Sequence, residues 1–265
     1  MTKPSSSDAF PSIYQAALLL LATFLLQYAV DMALYDQREA LGLDMHQRWA
    51  LGLVVADGLV LATVLHLQGR SYRNFLHASP SSPWATLFLV VPAVLLLVPL
   101  ILHLNFWSSA ILECVFPLSR WEAQAFDHMA ADDLATLIAT GMLAPVLEEM
   151  LFRGVLLRGF LERYPRWPAI ATSALFFGVM HLNIYQFVLA FWLGLLLGWL
   201  YERTRSLMPS IALHAAVNLS VLAIGWSTGS TGSGDPALSL VSWALATLMA
   251  VLGMAWLRRV LSVKR

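Results

Sequence analysis

Glu148 and Glu149 stand side by side in an apolar run that begins near Leu134, and Arg153 follows four residues later. In water this would be ordinary charged helix. In a bilayer each ionised group costs roughly 2.5–3.5 kcal/mol on insertion scales, so it needs a partner, a wet cavity or a task. Glu149 and Arg153 have the i, i+4 spacing, acid first, that pairs two side chains on one helix face. Glu148 is turned about 100° away and has no cation on its own helix. One carboxylate is tied and its neighbour is free for acid/base chemistry or metal ligation. The competing reading is a helix nearing the membrane surface and gathering ordinary interfacial charge.

Further polar residues lie on two later apolar segments. Phe177-Gly-Val-Met-His181 ends one of them, and His214-Ala-Ala-Val-Asn218 places a histidine and an asparagine one turn apart on another. A lone intramembrane histidine is more often a packed, hydrogen-bonded residue than a catalyst. Two histidines, a free glutamate and an asparagine on three segments are harder to dismiss. A glutamate with two histidines is the ligand set of some catalytic zinc sites. It is equally a base with electrophilic partners for hydrolysis.

The elements that must carry these residues are membrane helices. Of 265 residues, 59% are hydrophobic and 12% charged, against about 25% charged in a soluble domain. The zero net charge argues against nucleic acid as a partner. The single cysteine, Cys114, rules out a disulfide framework and a multi-cysteine metal site. The N-terminal apolar run is too long for a signal peptide, and no small-residue cleavage site follows it.

Eight segments are long enough to span a ~30 Å core: 12–34, 48–68, 84–107, 134–156, 167–184, 185–202, 208–226 and 237–257. The expected fold is therefore all-α and polytopic, one integral membrane domain over 1–265, with the site among helices 4, 5 and 7. Trp49, Trp84, Trp107, Trp167, Trp199, Trp226 and Trp256 sit near segment ends, as an interfacial belt would. Pro92 and Pro99 should bend the third span, and 227–236 reads as a turn. Placing the C-terminus inside puts thirteen basic residues on inner segments and only Arg38, Arg48 and Arg120 outside. That bias predicts both termini in the cytoplasm, in a cell (inner or plasma) membrane.

Depth tests whether the polar residues can meet. His181 lies about 21 Å along a helix from Trp167, and Glu148 about 24 Å from Tyr164, if the fourth helix continues past Arg153. His214 is only about 9 Å from Met208. The three close on one site only if helices 4 and 5 project beyond the start of helix 7, into the cytosol.

Taken together, Glu148-Glu149-x-x-x-Arg153, Phe177-x-x-x-His181 and His214-x-x-x-Asn218 resemble the three signature motifs of the CPBP family. These are the type II CAAX prenyl endopeptidases and their bacterial bacteriocin-processing and self-immunity relatives. The resemblance covers about 134–222, the catalytic core it would imply. It implies an intramembrane endopeptidase in which Glu148 activates water, His181 assists, and His214 and Asn218 stabilise the oxyanion. Glu149, Arg153 and Phe177 would support them. The implied partners are the bilayer and a membrane-tethered peptide or protein, whether a prenylated tail, a leader or a sorting tail. Zinc is a possible cofactor, and its ligands would be Glu148, His181 and His214. Two other classes fit less well: a non-catalytic immunity or chaperone-like membrane protein, and an ion-coupled transporter, for which paired broken helices are missing.

Asp31 and Asp57 lie inside the first two spans but belong to no motif, so pairing with a polar group is expected of them. His66, His77, His103 and His128 sit near span ends, where an interfacial role is expected. Asn183 reads as a turn residue.

Overall fold

The computed structural model describes residues 9–129, 134–228 and 240–262, and within them the elements are helices. Helices α1 (Ile13–Asp36) and α2 (Met45–Leu67) each open on a reciprocal cap, Ser12 with Gln15 and Asp44 with Gln47. They pair through polar groups set in apolar surfaces. Gln27 donates to Asp57 at 2.7 Å, and Arg48 donates to Asp31 at 2.8 Å. Such interhelical bonds are worth about 0.6–2 kcal/mol each in a membrane. Asp31 and Asp57 thus have the polar partners expected of them.

A short helix, α3 (Tyr72–Leu76), follows α2. The third apolar segment is broken into α4 (Pro83–Leu89), α5 (Val91–Leu95) and α6 (Val98–Val115), each with a proline in its first two positions. Proline lacks the N–H that would continue the preceding turn, so the bend expected at Pro92 and Pro99 becomes two breaks. The amphipathic α7 (Arg120–Met129) comes next.

Helix α8 (Leu134–Arg163) carries the two glutamates. At 1.5 Å per residue its 30 residues measure about 45 Å, more than a ~30 Å core requires. It does continue past Arg153, as the depth argument needed. Its turns widen to π-helix at Ala139–Leu143 and again at Met150–Leu157. From Leu151 to Leu157 every residue is buried, so this part of α8 is wrapped on all sides.

Helices α9 (Arg166–Val179) and α10 (Ile184–Thr204) form a tight hairpin. Gly194 and Gly198, four apart, allow it. A Cβ at Gly194 would lie 3.0 Å from that of Ala174, and one at Gly198 would lie 3.1 Å from Ile170. Helices α11 (Met208–Thr228) and α12 (Leu240–Ser262) complete the bundle. Most of 227–236 lies outside the described residues.

Seven helices among the described residues are long and apolar enough to cross a membrane. The segment expected at 167–184 is shorter than expected. Its helix has 14 residues, about 21 Å, because it ends before His181 and the chain turns through Asn183. Asn183 caps α10 by accepting from the amides of Tyr185 and Gln186, the turn role expected of it. On the opposite end of the bundle α3 straps α8. Phe75, 1% exposed, lies where a Cβ on Gly154 would be. The strap is held by backbone bonds from Ala78 to Arg205 and from Leu207 to Leu76, both 2.9 Å.

Candidate active site

Glu149 and Arg153 are both fully buried, and Arg153 Nη1 donates to Glu149 Oε1 at 2.6 Å. This is not interfacial charge. Arg153 sits inside the wrapped stretch of α8 with Glu149 just before it, and the second anchor of the pair is the hairpin. Arg153 Nη2 donates to the carbonyl of Gly194 at 3.2 Å, and the guanidinium lies 4.5 Å over the Phe177 ring. A charge-assisted bond and a cation–π contact thus hold a buried guanidinium whose Nε has no hydrogen-bond partner among the described residues.

Phe177 is the hub. Its ring is 1% exposed and meets Phe152 at 5.0 Å. His181 stands edge-on to it at 5.2 Å and His214 at 5.5 Å. Both histidines therefore flank one ring, although they come from the α9–α10 turn and from α11. His181 Nδ1 lies 2.9 Å from the carbonyl of Phe177. A carbonyl only accepts, so Nδ1 carries the proton and Nε2 is left for the site. His214 Nδ1 lies 3.0 Å from Glu149 Oε1 and turns Nε2 toward Glu148, whose Oε2 is 3.7 Å away.

Glu148 differs from its neighbour as the spacing predicts. Its side chain is 27% exposed, and its Oε2 lies 3.7 Å from His214 Nε2. Asn218 donates one amide hydrogen to the carbonyl of Thr140 at 2.9 Å, which leaves its second hydrogen for a ligand. The structure thus brings Glu148, Glu149, Arg153, Phe177 and His214 into one cluster, with His181 against the same Phe177 ring and Asn218 one turn along α11.

Zinc would need three donors converging on one point. Among the described residues no three His, Cys, Asp or Glu side chains are placed to hold an ion. As arranged, Glu148, His181 and His214 do not fit a three-ligand centre, and no step below runs through a metal.

Gly194, Phe152 and Thr140 support the site without belonging to any sequence motif. Ser173 adds a bond to the carbonyl of Phe152 at 3.1 Å. Only the Gly194-x-x-x-Gly198 spacing could have flagged one of them beforehand, as a close helix contact. The other histidines lie elsewhere. His77 bonds the carbonyl of Ser81 and His103 that of Pro99, each at 2.7 Å, and the side chain of His128 is outside the described residues.

Residues 130–220, about a third of the chain, match the family model described as "Type II CAAX prenyl endopeptidase Rce1-like". A curated protein of Bacillus subtilis (strain 168) named "Putative membrane peptidase YdiL" is 27% identical over 86 residues, 32% of this chain and 35% of that protein. The chain therefore matches about a third of the relative's length. No solved structure matches.

Proposed function

Because residues 130–220 are similar to the type II CAAX prenyl endopeptidases, we propose that the protein is an intramembrane endopeptidase in which Glu148 activates the attacking water. The observation that carries this reading is the division of labour between adjacent carboxylates. Glu149 is locked to Arg153 and His214, while Glu148 is part-exposed, with Oε2 3.7 Å from Nε2 of His214.

In this reading Glu148 takes a proton from water as the water oxygen attacks the scissile carbonyl, and the same proton passes to the leaving amine. The second N–H of Asn218, and Nε2 of His214 when it carries a proton, donate to the oxyanion. His181, with Nδ1 fixed on Phe177, presents Nε2 to the water. Glu149, Arg153 and Phe177 hold the two histidines in place. The substrate class is a membrane-tethered peptide or protein, and both termini of this protein face the cytoplasm, with the short α9 and the full-length α10 entering and leaving the membrane from the cytoplasmic side.

The test is a comparison of membrane peptides by mass spectrometry in cells carrying the native chain or Glu148→Gln. A precursor that accumulates only with Glu148→Gln supports the proposal. Identical peptide profiles at equal protein abundance would refute it.

A further inference from the structure

We propose that Arg70, Arg158 and Arg205, gathered about the α3 strap at its end of the bundle, form a site for the phosphate of an anionic lipid headgroup. The three cations come from separate parts of the fold: the chain just after α2, the last turns of α8, and the end of α10. Tyr201, on α10, feels the charge of all three. It is 1% exposed, and its hydroxyl has no hydrogen-bond partner. The charges acting on that hydroxyl are those of Arg158, Arg205, Arg70 and Glu162.

Three guanidiniums face one carboxylate, and that carboxylate is weakly engaged. Glu162 is 4.0 Å from Arg70 and its side chain is 48% exposed. Arg158 makes only a long bond, 3.4 Å, to the carbonyl of Asn74. Burial and then the like charge of Arg158 push the Arg70 guanidinium below its ordinary value. The positions are nonetheless held. Arg205 is a left-handed cap with φ 51°, and its carbonyl accepts from Ala78 at 2.9 Å.

Arg158 reaches Asn74 of α3, Arg70 lies just before α3, and Arg205 is bonded to Ala78 just after it, and such a cluster of cations with one exposed carboxylate calls for an acceptor with several oxygens and negative charge. Phosphate supplies both, and guanidinium forks match it. The cluster's place selects the lipid form. It lies where α2, α8 and α10 end, beside the exposed Leu67 and Tyr72. Basic pockets between helix ends at this level take lipid headgroups. General attraction of basic loops to an anionic surface is diffuse, whereas this cluster is convergent.

The full chain in nanodiscs of phosphatidylcholine, with and without phosphatidylglycerol, distinguishes the two. The readouts are the melting temperature and the phosphatidylglycerol retained in native mass spectrometry. A ligand bound only by the folded state raises the melting temperature, so phosphatidylglycerol should raise it and be retained. Arg70→Gln combined with Arg158→Gln should abolish both effects, and Arg258→Gln combined with Arg259→Gln should leave them intact. Should the first double variant not fold, Arg205→Gln, at an exposed position, should reduce both effects. Equal losses in both double variants, no effect of Arg205→Gln, or no phosphatidylglycerol effect at all would overturn the proposal. So would inorganic phosphate at matched ionic strength reproducing the full shift in phosphatidylcholine alone. None of these readouts depends on peptidase activity.

Discussion

Glu149→Gln leaves a guanidinium with 0% exposure opposite a neutral amide and weakens the anchor of His214 Nδ1. Removing one partner of a buried pair costs about 3–5 kcal/mol. The expected outcome is a lower melting temperature or lower abundance in membranes, with activity lost as a consequence. At Asn218 the expectation is different. Asn218→Ala removes one oxyanion donor, so the cleavage rate should fall roughly 10²–10³-fold. It also frees the carbonyl of Thr140, which adds a smaller loss of stability. Chelators should change the native rate little, and purified active protein should lack stoichiometric zinc. An equivalent of zinc lost together with activity in His181→Ala would reverse that expectation.

The supporting elements are tested away from the chemistry. Gly154→Leu would drive a side chain into the space that Phe75 fills. Overpacking of this kind typically costs 1–3 kcal/mol, and it should loosen the α3 strap while leaving Glu148 untouched. Protease access to residues 72–78 reports the strap directly. At the other end of the site, Asn183 donates to Glu122 of α7 at 3.2 Å. Hydrogen bonds from the Ser119 side chain and then its backbone, helped by Asn183, hold the Glu122 carboxyl below its ordinary value. A lowered folded-state value means that the stability these bonds give the start of α7 is complete above the unfolded value and is lost as pH falls through the folded one. Hydrogen exchange of α7 should therefore accelerate below the ordinary glutamate range, and in Glu122→Gln it should be faster at neutral pH. The spacing of Glu149 and Arg153 made their pairing legible, because i, i+4 geometry is local. The placement of Phe177 between two histidines was not, since it depends on where α9 stops. Nothing in Phe177-Gly-Val-Met-His181 announces that the helix ends at Val179. The contacts of Arg153 with Gly194 and of Asn218 with Thr140 cross between helices, and no spacing within one helix encodes them.

For the whole molecule, the segment pattern was readable because a bilayer demands about 20 apolar residues per crossing. The exceptions are where function or proline intervenes: α8 exceeds the core, α9 falls short of it, and the third segment breaks at Pro92 and Pro99. Orientation rests on thirteen basic residues against three, so reporters placed after Arg265 and within 227–236 should report opposite compartments. Equal compartments would contradict the proposed topology. Whether Glu148 is the base can be read from purified protein in nanodiscs. The measurement is the cleavage rate of Glu148→Gln on a membrane-anchored peptide that the native chain cuts, read beside the melting temperatures of both. A fall of about 10²–10⁴-fold, the usual contribution of a general base, at an unchanged melting temperature is the predicted result. A Glu148→Gln variant that folds and cuts at the native rate would contradict it.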